Sequence, residues 1–319
     1  MTRTDINACT YSIVIPCYCS GDWLHELVER IHSTMRALGE SYEVILVNDA
    51  SPDGTWNKIV EIAKHSPSIR GIDLMFNTGQ FRTILCGLQN TKGEYVILLD
   101  DDFQTPPEEI PKLIQKMEAE PDLDCVMGEY EKKYHDLLRN MGSIVYRFTV
   151  SKLYSMPMSL KLTSFVLMKR KLAEGLCQHG TVSPVIGVLI FRTTSRIANT
   201  VVEHKPRVAG KSGYRLSRLV SIVLDNIFGA SILPLRIVTL LGLSAATASI
   251  ALSIYYFVKY FSGGIGAPGF MTQVILTIFF GGMTLFSIGM VGEYLIRIID
   301  EVRKPPRYVI RQLTDHNIA

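Results

Sequence analysis

Three consecutive acids, Asp100, Asp101 and Asp102, follow an apolar run at 95–99. Side chains alternate along an extended segment, so Asp100 and Asp102 lean to one side and Asp101 leans to the other. Two carboxylates that approach each other repel unless a cation or hydrogen-bond donors offset the repulsion. A divalent ion such as Mg²⁺ or Mn²⁺ would do so, because it accepts oxygen ligands and keeps positions for substrate phosphates. The spacing is therefore compatible with a metal site that anchors a diphosphate, and ordinary turn formation is the alternative.

The acids end the last of several short β-rich runs that alternate with amphipathic stretches. We predict strands at 11–16, 42–49, 69–76 and 94–100. We predict helices at 22–38, 54–65 and 79–90. This alternation is typical of an α/β domain with a mostly parallel sheet. Ligands gather at the carboxyl ends of the strands in such a sheet, so the acids lie where a site is expected.

The hydrophobic content of 47% and the mean hydropathy of +0.20 are high for a purely soluble protein. Two charge-free stretches, 237–258 and 270–292, contribute to both values. Each is long enough to cross a hydrocarbon layer of ~30 Å at ~1.5 Å per residue. We predict two transmembrane helices, and the alternative is a buried hairpin in a soluble core.

Basic residues flank both stretches, whereas only Lys259 lies between them. The positive-inside rule therefore predicts a multi-pass membrane protein whose termini and catalytic part are cytoplasmic. The start MTRTDINACTYS lacks the apolar core of a signal peptide, which agrees with this orientation. The six cysteines form no CxxC pair and are expected to be reduced thiols. The net charge of +3 indicates a lipid bilayer rather than nucleic acid as the partner, because the excess lies beside the membrane.

Longer motifs place these features in a known family. The order and spacing of family-2 glycosyltransferases are matched by SIVIPCYCSGDWL, VNDASPDGTW, NTGQFRTILCGL, GEYVILLDDDFQTPPEEI and VVEHKPRVAGKSGY. With its apolar stretches and the tail YLIRIIDEVRKPPRYVI, the chain most resembles the polyprenyl-phosphate glycosyltransferases. These include dolichyl-phosphate mannose synthase, bacterial glucosyl counterparts and the enzymes that load aminoarabinose onto undecaprenyl phosphate. The resemblance covers nearly the whole chain and implies a GT-A fold, but its motifs do not specify the sugar.

The resemblance, the hydropathy and the flanking charges together predict four segments: a GT-A domain at 1–212, an interfacial amphipathic region at 213–235, two transmembrane helices at 236–296 and a basic cytosolic tail at 297–319. Arg215 and Arg218 recur among apolar residues at helical spacing, which indicates a helix in the membrane interface. The small residues Gly281, Gly282 and Gly289 are compatible with helix packing within the pair or between the protomers of a homo-oligomer.

The resemblance also implies roles on the donor side. Pro16, Tyr18 and Asp49 match residues that hold the nucleotide, with the aspartate accepting hydrogen bonds from the base. Asp53 has the simpler interpretation of capping the next helix. Asp100 and Asp102 match the Asp-x-Asp pair that binds Mg²⁺ or Mn²⁺, with Asp102 as the direct ligand. Gln104 matches a glutamine that completes the metal site, and Asp101 is expected to be an outer or solvated acid.

On the acceptor side, cations are needed because a lipid phosphate must approach a sugar diphosphate. The resemblance implies that Arg139 and Ser143 face the acceptor phosphate and that Arg207 and Lys211 belong to a basic loop over the diphosphates. A solvated or snorkelling helix residue is the alternative for Arg139, and generic positive charge beside the membrane is the alternative for Arg207. Arginine suits this work through its planar, bidentate donors.

The implied reaction is inverting transfer of a sugar from a UDP-linked donor to a polyprenyl phosphate. One departure from relatives bears on it. Several relatives carry an acid before the aromatic residue of a segment that reads Thr163, Ser164 and Phe165 here, and hydroxyl side chains are not bases at neutral pH. Either a reactive phosphate needs no protein base, or another acid such as Asp101 substitutes, or the protein is impaired. The missing acid leaves a catalytically silent nucleotide-sugar-binding protein as one alternative. A membrane glycosyltransferase that extends a glycan is a separate alternative.

Overall fold

The computed structural model of the chain describes residues 9–130, 160–179, 186–205, 269–303 and 306–314, with scattered positions between 238 and 262. The chain divides into two compact units. The first comprises Met1–Ser212 and Lys304–Ala319, and the second comprises Gly213–Arg303.

The first unit is built on an eight-stranded mixed sheet. Its strands are β1 (Tyr11–Cys17), β2 (Tyr42–Asn48), β3 (Ile69–Leu74), β4 (Tyr95–Leu98), β5 (Cys125–Tyr130), β6 (Val166–Lys169), β7 (Ile197–Val202) and β8 (Ile310–Leu313). Its helices are α1 (Leu24–Leu38), α2 (Thr55–His65), α3 (Gln80–Gln89), α4 (Ile110–Ala119), α5 (Arg170–Gln178) and α6 (Ile186–Thr193), with a 3-10 helix at Pro107–Glu109 before α4. Between residues 11 and 100, every predicted strand and helix is confirmed, with ends within about two residues of the prediction.

The strand order is β7-β5-β6-β4-β1-β2-β3-β8. Strands β4, β1, β2 and β3 are neighbours and parallel, so their carboxyl ends meet at one edge of the sheet. Strand β6 is antiparallel to both β4 and β5, and β8 is antiparallel to β3. The predicted α/β fold with a mostly parallel sheet is therefore confirmed.

Apolar side chains cover both faces of the sheet. Ile13 and Ile15 of β1 belong to one buried cluster, whereas Val14 belongs to the cluster on the opposite face. This division follows from the alternation of side chains along a strand. Helices α1, α2 and α4 contribute to the first cluster, and α3, α5 and α6 contribute to the second. The sheet is thus covered on both faces by helices, as parallel strands require.

Helix α3 approaches the sheet closely because it carries a glycine at the contact. A Cβ atom on Gly87 would collide with the side chain of Val14. This close approach packs α3 against β1 and β2. The first turn of α3 carries residues of the candidate site described below.

The second unit contains α7 (Phe270–Arg303). In the part of the chain that the structure describes, α7 has the one window long and apolar enough to cross a membrane, Phe279–Ile296, with a mean hydropathy of 1.4. Large apolar side chains along it, such as Phe286 and Ile288, are exposed. The predicted stretch at 270–292 is therefore helical, and most of the stretch at 237–258 lies outside the described residues, as does the interfacial region at 213–235. Two spans, and the orientation, remain predictions.

The C-terminal tail contains an element that the sequence did not predict. Residues 310–313 form β8, which pairs with the edge of β3 through Asp73 opposite Gln312 and Ile72 opposite Leu313. The tail thus returns to the first unit after α7. It covers the β3 edge of the sheet, which would otherwise present unpaired backbone groups.

Candidate active site

Backbone strain is concentrated where the predicted site lies. Among the described residues, Cys19, Ala50 and Phe103 are the non-glycine residues with positive φ, at 55°, 51° and 58°. They follow β1, β2 and β4 respectively, at the shared carboxyl edge of the sheet. Such conformations cost on the order of 1–3 kcal/mol each and cluster at functional sites. The loop after β1 (residues 18–23, the β1 loop) and the loop after β2 (residues 49–54, the β2 loop) therefore have enforced shapes.

Asp101 joins the end of β4 to the β1 loop. Its Oδ2 accepts a hydrogen bond from the Tyr18 backbone N–H at 3.2 Å, and its carbonyl oxygen accepts one from Trp23 Nε1 at 2.5 Å. The pKa of the Asp101 carboxyl is raised to about 6, mainly by burial and also by the neighbouring charges of Asp100 and Asp102, although the Ser20 hydroxyl and the Tyr18 N–H act to lower it. Asp101 is thus a partly buried structural acid rather than a solvated one.

Asp100 is held by two side chains from distant parts of the sequence. Its Oδ1 accepts a hydrogen bond from Gln80 Nε2 at 2.7 Å, and its Oδ2 accepts one from Ser164 Oγ at 2.5 Å. Gln80 is the first residue of α3, and Ser164 lies just before β6. Ser164 is therefore a hydrogen-bond donor to the first acid of the triplet.

Asp102 is buried, with 8% of its surface exposed. Its Oδ1 accepts a hydrogen bond from the Gln104 backbone N–H at 3.1 Å, and the Gln104 carbonyl accepts one from the Lys205 N–H at 2.8 Å. The turn after β4 is thus attached to the segment that follows β7. In sequence, the predicted basic loop with Arg207 begins directly after this segment.

The donor set of this turn suits a hard divalent ion. No group of three or more His, Cys, Asp or Glu side chains arranged to hold a metal occurs among the described residues. Asp100 and Asp102 supply two carboxylates, and Gln104 adds a carboxamide oxygen. Mg²⁺ and Mn²⁺ accept such oxygen ligands and use diphosphate oxygens and water for the remaining positions. The predicted ligands therefore fit the predicted ion in chemical type.

Tyr130 and His204 form one wall beside the acids. Their rings stack with centroids 4.1 Å apart, and the Tyr130 hydroxyl lies 3.2 Å from Thr105 Oγ1. Burial raises the pKa of the Tyr130 hydroxyl and the charges of Asp100 and Asp102 also raise it, whereas hydrogen bonds with Thr105 and Ser164 lower it. The sequence predicts no role for either ring, although His204 lies within the motif VVEHKPRVAGKSGY.

Asp49 is buried at the end of β2 and is already hydrogen-bonded. Its Oδ1 accepts bonds from the Thr78 N–H at 2.7 Å and the Thr78 hydroxyl at 3.0 Å, and its Oδ2 accepts one from the Gly79 N–H at 2.9 Å. Gly79 has φ of 84°, which favours glycine there. A carboxylate oxygen can accept two hydrogen bonds, so Oδ2 keeps capacity for one more donor, such as the N–H of a base.

The other predicted donor residues lie on the same edge. Pro16 is buried within β1, whereas Tyr18 is 51% exposed. Asp53 Oδ1 accepts a hydrogen bond from the Thr55 N–H at 3.1 Å, which forms a turn before α2. The N-cap of α2 is Gly54, and among the described residues no side chain caps this helix, so the predicted cap is not formed. The structure therefore brings Tyr18, Asp49 and the acidic turn to one edge of the sheet.

The predicted acceptor residues Arg139, Ser143, Arg207 and Lys211 lie outside the described residues. What the structure describes is the donor half of the predicted site. Within that half, Gln80, Ser164, Tyr130 and His204 are additional residues beside the acids.

Two solved structures share this architecture. Glucosyl-3-phosphoglycerate synthase from Mycobacterium tuberculosis, in complex with Mn²⁺, UDP-glucose and phosphoglyceric acid, aligns with a TM-score of 0.52 and 18% identity, covering 69% of this chain and 78% of that one. Mannosyl-3-phosphoglycerate synthase from Rubrobacter xylanophilus aligns with a TM-score of 0.51 and 16% identity, covering 68% and 72%. These similarities define the GT-A-like class of α/β fold.

The sequence assigns the chain to a family within this class. The Glycosyl transferase family 2 domain matches residues 12–176, and the chain belongs to this family. The undecaprenyl-phosphate 4-deoxy-4-formamido-L-arabinose transferase of Salmonella paratyphi B is 30% identical over 306 residues, which cover 95% of this chain and 93% of that protein. A glycosyltransferase of Synechocystis sp. is 28% identical over 302 residues, 95% of each chain. The predicted resemblance to polyprenyl-phosphate glycosyltransferases is thereby confirmed.

Proposed function

We propose that this protein transfers a sugar from a UDP-linked donor to a polyprenyl phosphate and gives a lipid-phospho-sugar. The observation that carries the proposal is one hydrogen-bonded frame at the carboxyl edge of the sheet. Asp49 holds the backbone at 78–79, and the next residue, Gln80, holds Asp100. The start of α3 therefore connects Asp49, which would bind the base, to Asp100, which would help to bind the diphosphate through the metal ion. The similarity to an undecaprenyl-phosphate transferase over most of the chain supports the acceptor class.

On the donor side, the remaining acceptor capacity of Asp49 Oδ2 suits a base N–H, and the exposed ring of Tyr18 can lie against the base or ribose. Asp100, Asp102 and Gln104 would hold Mg²⁺ or Mn²⁺, which neutralises the charge of a bound diphosphate and of the UDP leaving group. The two donors on Asp100 keep its carboxylate oriented before any ligand arrives. Preorganisation of this kind reduces the rearrangement needed during the reaction.

In the reaction, an oxygen of the lipid phosphate forms a bond to the anomeric carbon while the bond from that carbon to the UDP β-phosphate oxygen breaks. Attack from the opposite face inverts the anomeric configuration. The second pKa of a phosphate is about 6, so the acceptor is already anionic and needs no protein base. Ser164 fits this scheme as a support of Asp100, and Asp101 bonds to the Tyr18 backbone instead of facing an acceptor. Arg139, Ser143, Arg207 and Lys211 remain the proposed contacts of the lipid phosphate and diphosphates.

The apolar helix α7 supports a location in the membrane, as an enzyme with a polyprenyl acceptor requires. We propose two spans with the catalytic unit and both termini in the cytoplasm. In this orientation the cytoplasmic pool of nucleotide sugars and the headgroup of the lipid phosphate meet at the same face of the bilayer.

The test is a transfer assay on the full chain in detergent. Undecaprenyl phosphate, MnCl₂ or MgCl₂ and a panel of radiolabelled nucleotide sugars are incubated with the wild type, Asp102→Asn and a control, Asp122→Asn, whose acid is exposed at a distant turn. We expect lipid-linked label with the wild type and the control, and a loss of at least about 100-fold with Asp102→Asn. Undiminished transfer by Asp102→Asn contradicts the proposal. Binding of donor without turnover supports a silent binding protein, and label found only on a glycan acceptor supports an extending transferase.

A further inference from the structure

A polar pair lies buried between β2 and β3, away from the acidic turn. Asn48 and Asp73 are opposite each other in the parallel register, and each is 1% exposed. Asn48 Nδ2 donates a hydrogen bond to Asp73 Oδ1 at 2.7 Å. A buried carboxylate is costly unless a positive charge and hydrogen bonds compensate it. A second group must therefore supply the charge.

That charge comes from the C-terminal tail. Arg311 of β8 places Nη1 3.3 Å from Asp73 Oδ2, and its Nη2 donates to the Met75 carbonyl at 2.8 Å. The side chain of Arg311 is half exposed, whereas that of Asp73 is 2% exposed. The guanidinium thus caps the buried acid from the outer edge of the sheet.

On its other side, the pair reaches both loops of the donor site. Asn48 Oδ1 accepts a hydrogen bond from Ser51 Oγ at 2.6 Å, in the β2 loop. Ser51 Oγ in turn accepts one from the Cys19 backbone N–H at 3.1 Å, in the β1 loop. Cys19 and Ala50 are the strained residues of these two loops. A strained conformation persists when the surrounding contacts impose it.

The donor and acceptor directions along this path are fixed at both ends, because the Cys19 N–H can only donate to Ser51 Oγ and the Ser51 N–H can only donate to Asn48 Oδ1, at 3.3 Å. A guanidinium only donates and an ionised carboxylate only accepts. The Asn48 amide must then turn its NH₂ toward Asp73 and its oxygen toward Ser51. The Ser51 hydroxyl proton is consequently committed to Asn48, and its oxygen is left to accept from the Cys19 N–H. Without the charge of Arg311, the buried Asp73 carboxylate loses its compensating cation, and the hydrogen bond by which it holds Asn48 is weakened.

We infer that Arg311 is a positioning residue of the donor site, acting through Asp73, Asn48 and Ser51 on the loops that carry Tyr18 and Asp49. This inference rests on the proposed role of those loops in nucleotide binding. Because β8 follows α7 in the chain, the tail beyond the apolar helix takes part in forming the donor site in addition to closing the sheet edge. Arg311 itself touches neither a substrate nor a reacting atom.

The experiment compares Arg311→Met, Arg311→Lys and the control Arg170→Met in the full chain. Arg170 also forms an ion pair with a carboxylate, that of Glu174, but on the surface of α5. We expect Arg311→Met to raise the KM for the nucleotide sugar and the Kd for UDP about tenfold, with kcat and the KM for the lipid phosphate within about twofold of wild type. Arg311→Lys keeps the charge and should restore part of the donor affinity.

A second variant and a ligand-independent readout keep the test decisive. Ser51→Ala cuts the path at its far end without altering β8, and should produce the same selective rise in donor KM even if Arg311→Met fails to fold. Hydrogen exchange of the Cys19 amide should accelerate about tenfold in both variants, whether or not UDP binds. A lowered Tm with unchanged donor KM, UDP affinity and Cys19 exchange overturns the inference and leaves the proposed function standing. A wild type that neither binds nor uses any UDP-sugar, but shows the exchange effect, defeats the proposed function alone.

Discussion

Replacing Ser164 by alanine tests how the acidic turn is prepared for its ion. Ser164 Oγ donates to Asp100 Oδ2 at 2.5 Å, and Gln80 donates to the other oxygen at 2.7 Å. A hydrogen bond to a charged group contributes about 1.5–3 kcal/mol, and loss of a residue that orients a metal ligand typically lowers metal affinity about 10–100-fold. Gln80 remains in the variant, so we expect the lower part of this range, about tenfold.

The assay is direct titration of Mn²⁺ in the presence of UDP, followed by transfer activity as a function of Mn²⁺ concentration. We expect Ser164→Ala to need about tenfold more Mn²⁺ and to recover most of its kcat at saturation. Ser68→Ala is the matched control, because Ser68 is also partly buried and hydrogen-bonded, to Ser66 Oγ at 2.9 Å, but lies at the start of β3. Equal Mn²⁺ affinity in Ser164→Ala and wild type would refute the view that the serine orients a metal ligand. A fall in kcat at saturating Mn²⁺ would instead assign Ser164 to the reaction itself.

Three further predictions concern the frame around the site. Gly87→Ala should lower the free energy of unfolding by about 1–3 kcal/mol, because the added Cβ collides with Val14. Gly54→Ala is the control and should change this free energy by less than about 0.5 kcal/mol, because the space around Gly54 is open. Chemical denaturation measures both values. Burial lowers the pKa of His32, so the folded protein favours the neutral imidazole and its stability should fall as the pH drops below about 6.5. His32→Gln should flatten the dependence of Tm on pH. A pH profile identical to that of the wild type contradicts this cause. Asp49→Asn replaces one carboxylate oxygen by an NH₂ group, although two backbone N–H groups donate to the two oxygens in the wild type. We expect UDP binding to weaken about tenfold in a displacement assay. Unchanged UDP affinity would contradict the role of Asp49.

The sequence predicts the central elements well because their signals are local. The apolar runs of β1, β2, β3 and β4 and the amphipathic stretches between them are contiguous, so periodicity alone identifies them. The site edge also follows, because parallel strands bring their carboxyl ends together. The predicted alternation of the three acids assumed an extended segment, whereas β4 ends at Leu98 and Asp101 and Asp102 lie in the turn that follows.

The remaining features depend on contacts between distant residues. Ser164 meets Asp100 across 64 positions of sequence, and its type alone does not reveal that it is a donor to the acid. The four residues of β8 have weak strand signals of their own, and they become a strand because the β3 edge offers hydrogen-bond partners. In the sequence, Arg311 is one of several positive charges near the predicted membrane segments, and only the fold shows that it pairs with the buried Asp73. Positive φ at a bulky residue such as Phe103 has no sequence signal either, since tertiary contacts impose it.

The most direct test of the central claim is the mass of the lipid product. The full chain, undecaprenyl phosphate, Mn²⁺ and a mixed pool of UDP-sugars are incubated, and the extracted lipids are analysed by mass spectrometry. The proposed reaction predicts undecaprenyl phosphate plus one glycosyl residue, with release of UDP and the sugar identified by the added mass. A product that gains a second phosphate with release of UMP, or an unmodified lipid under conditions in which UDP-sugar is bound, would contradict the proposed chemistry.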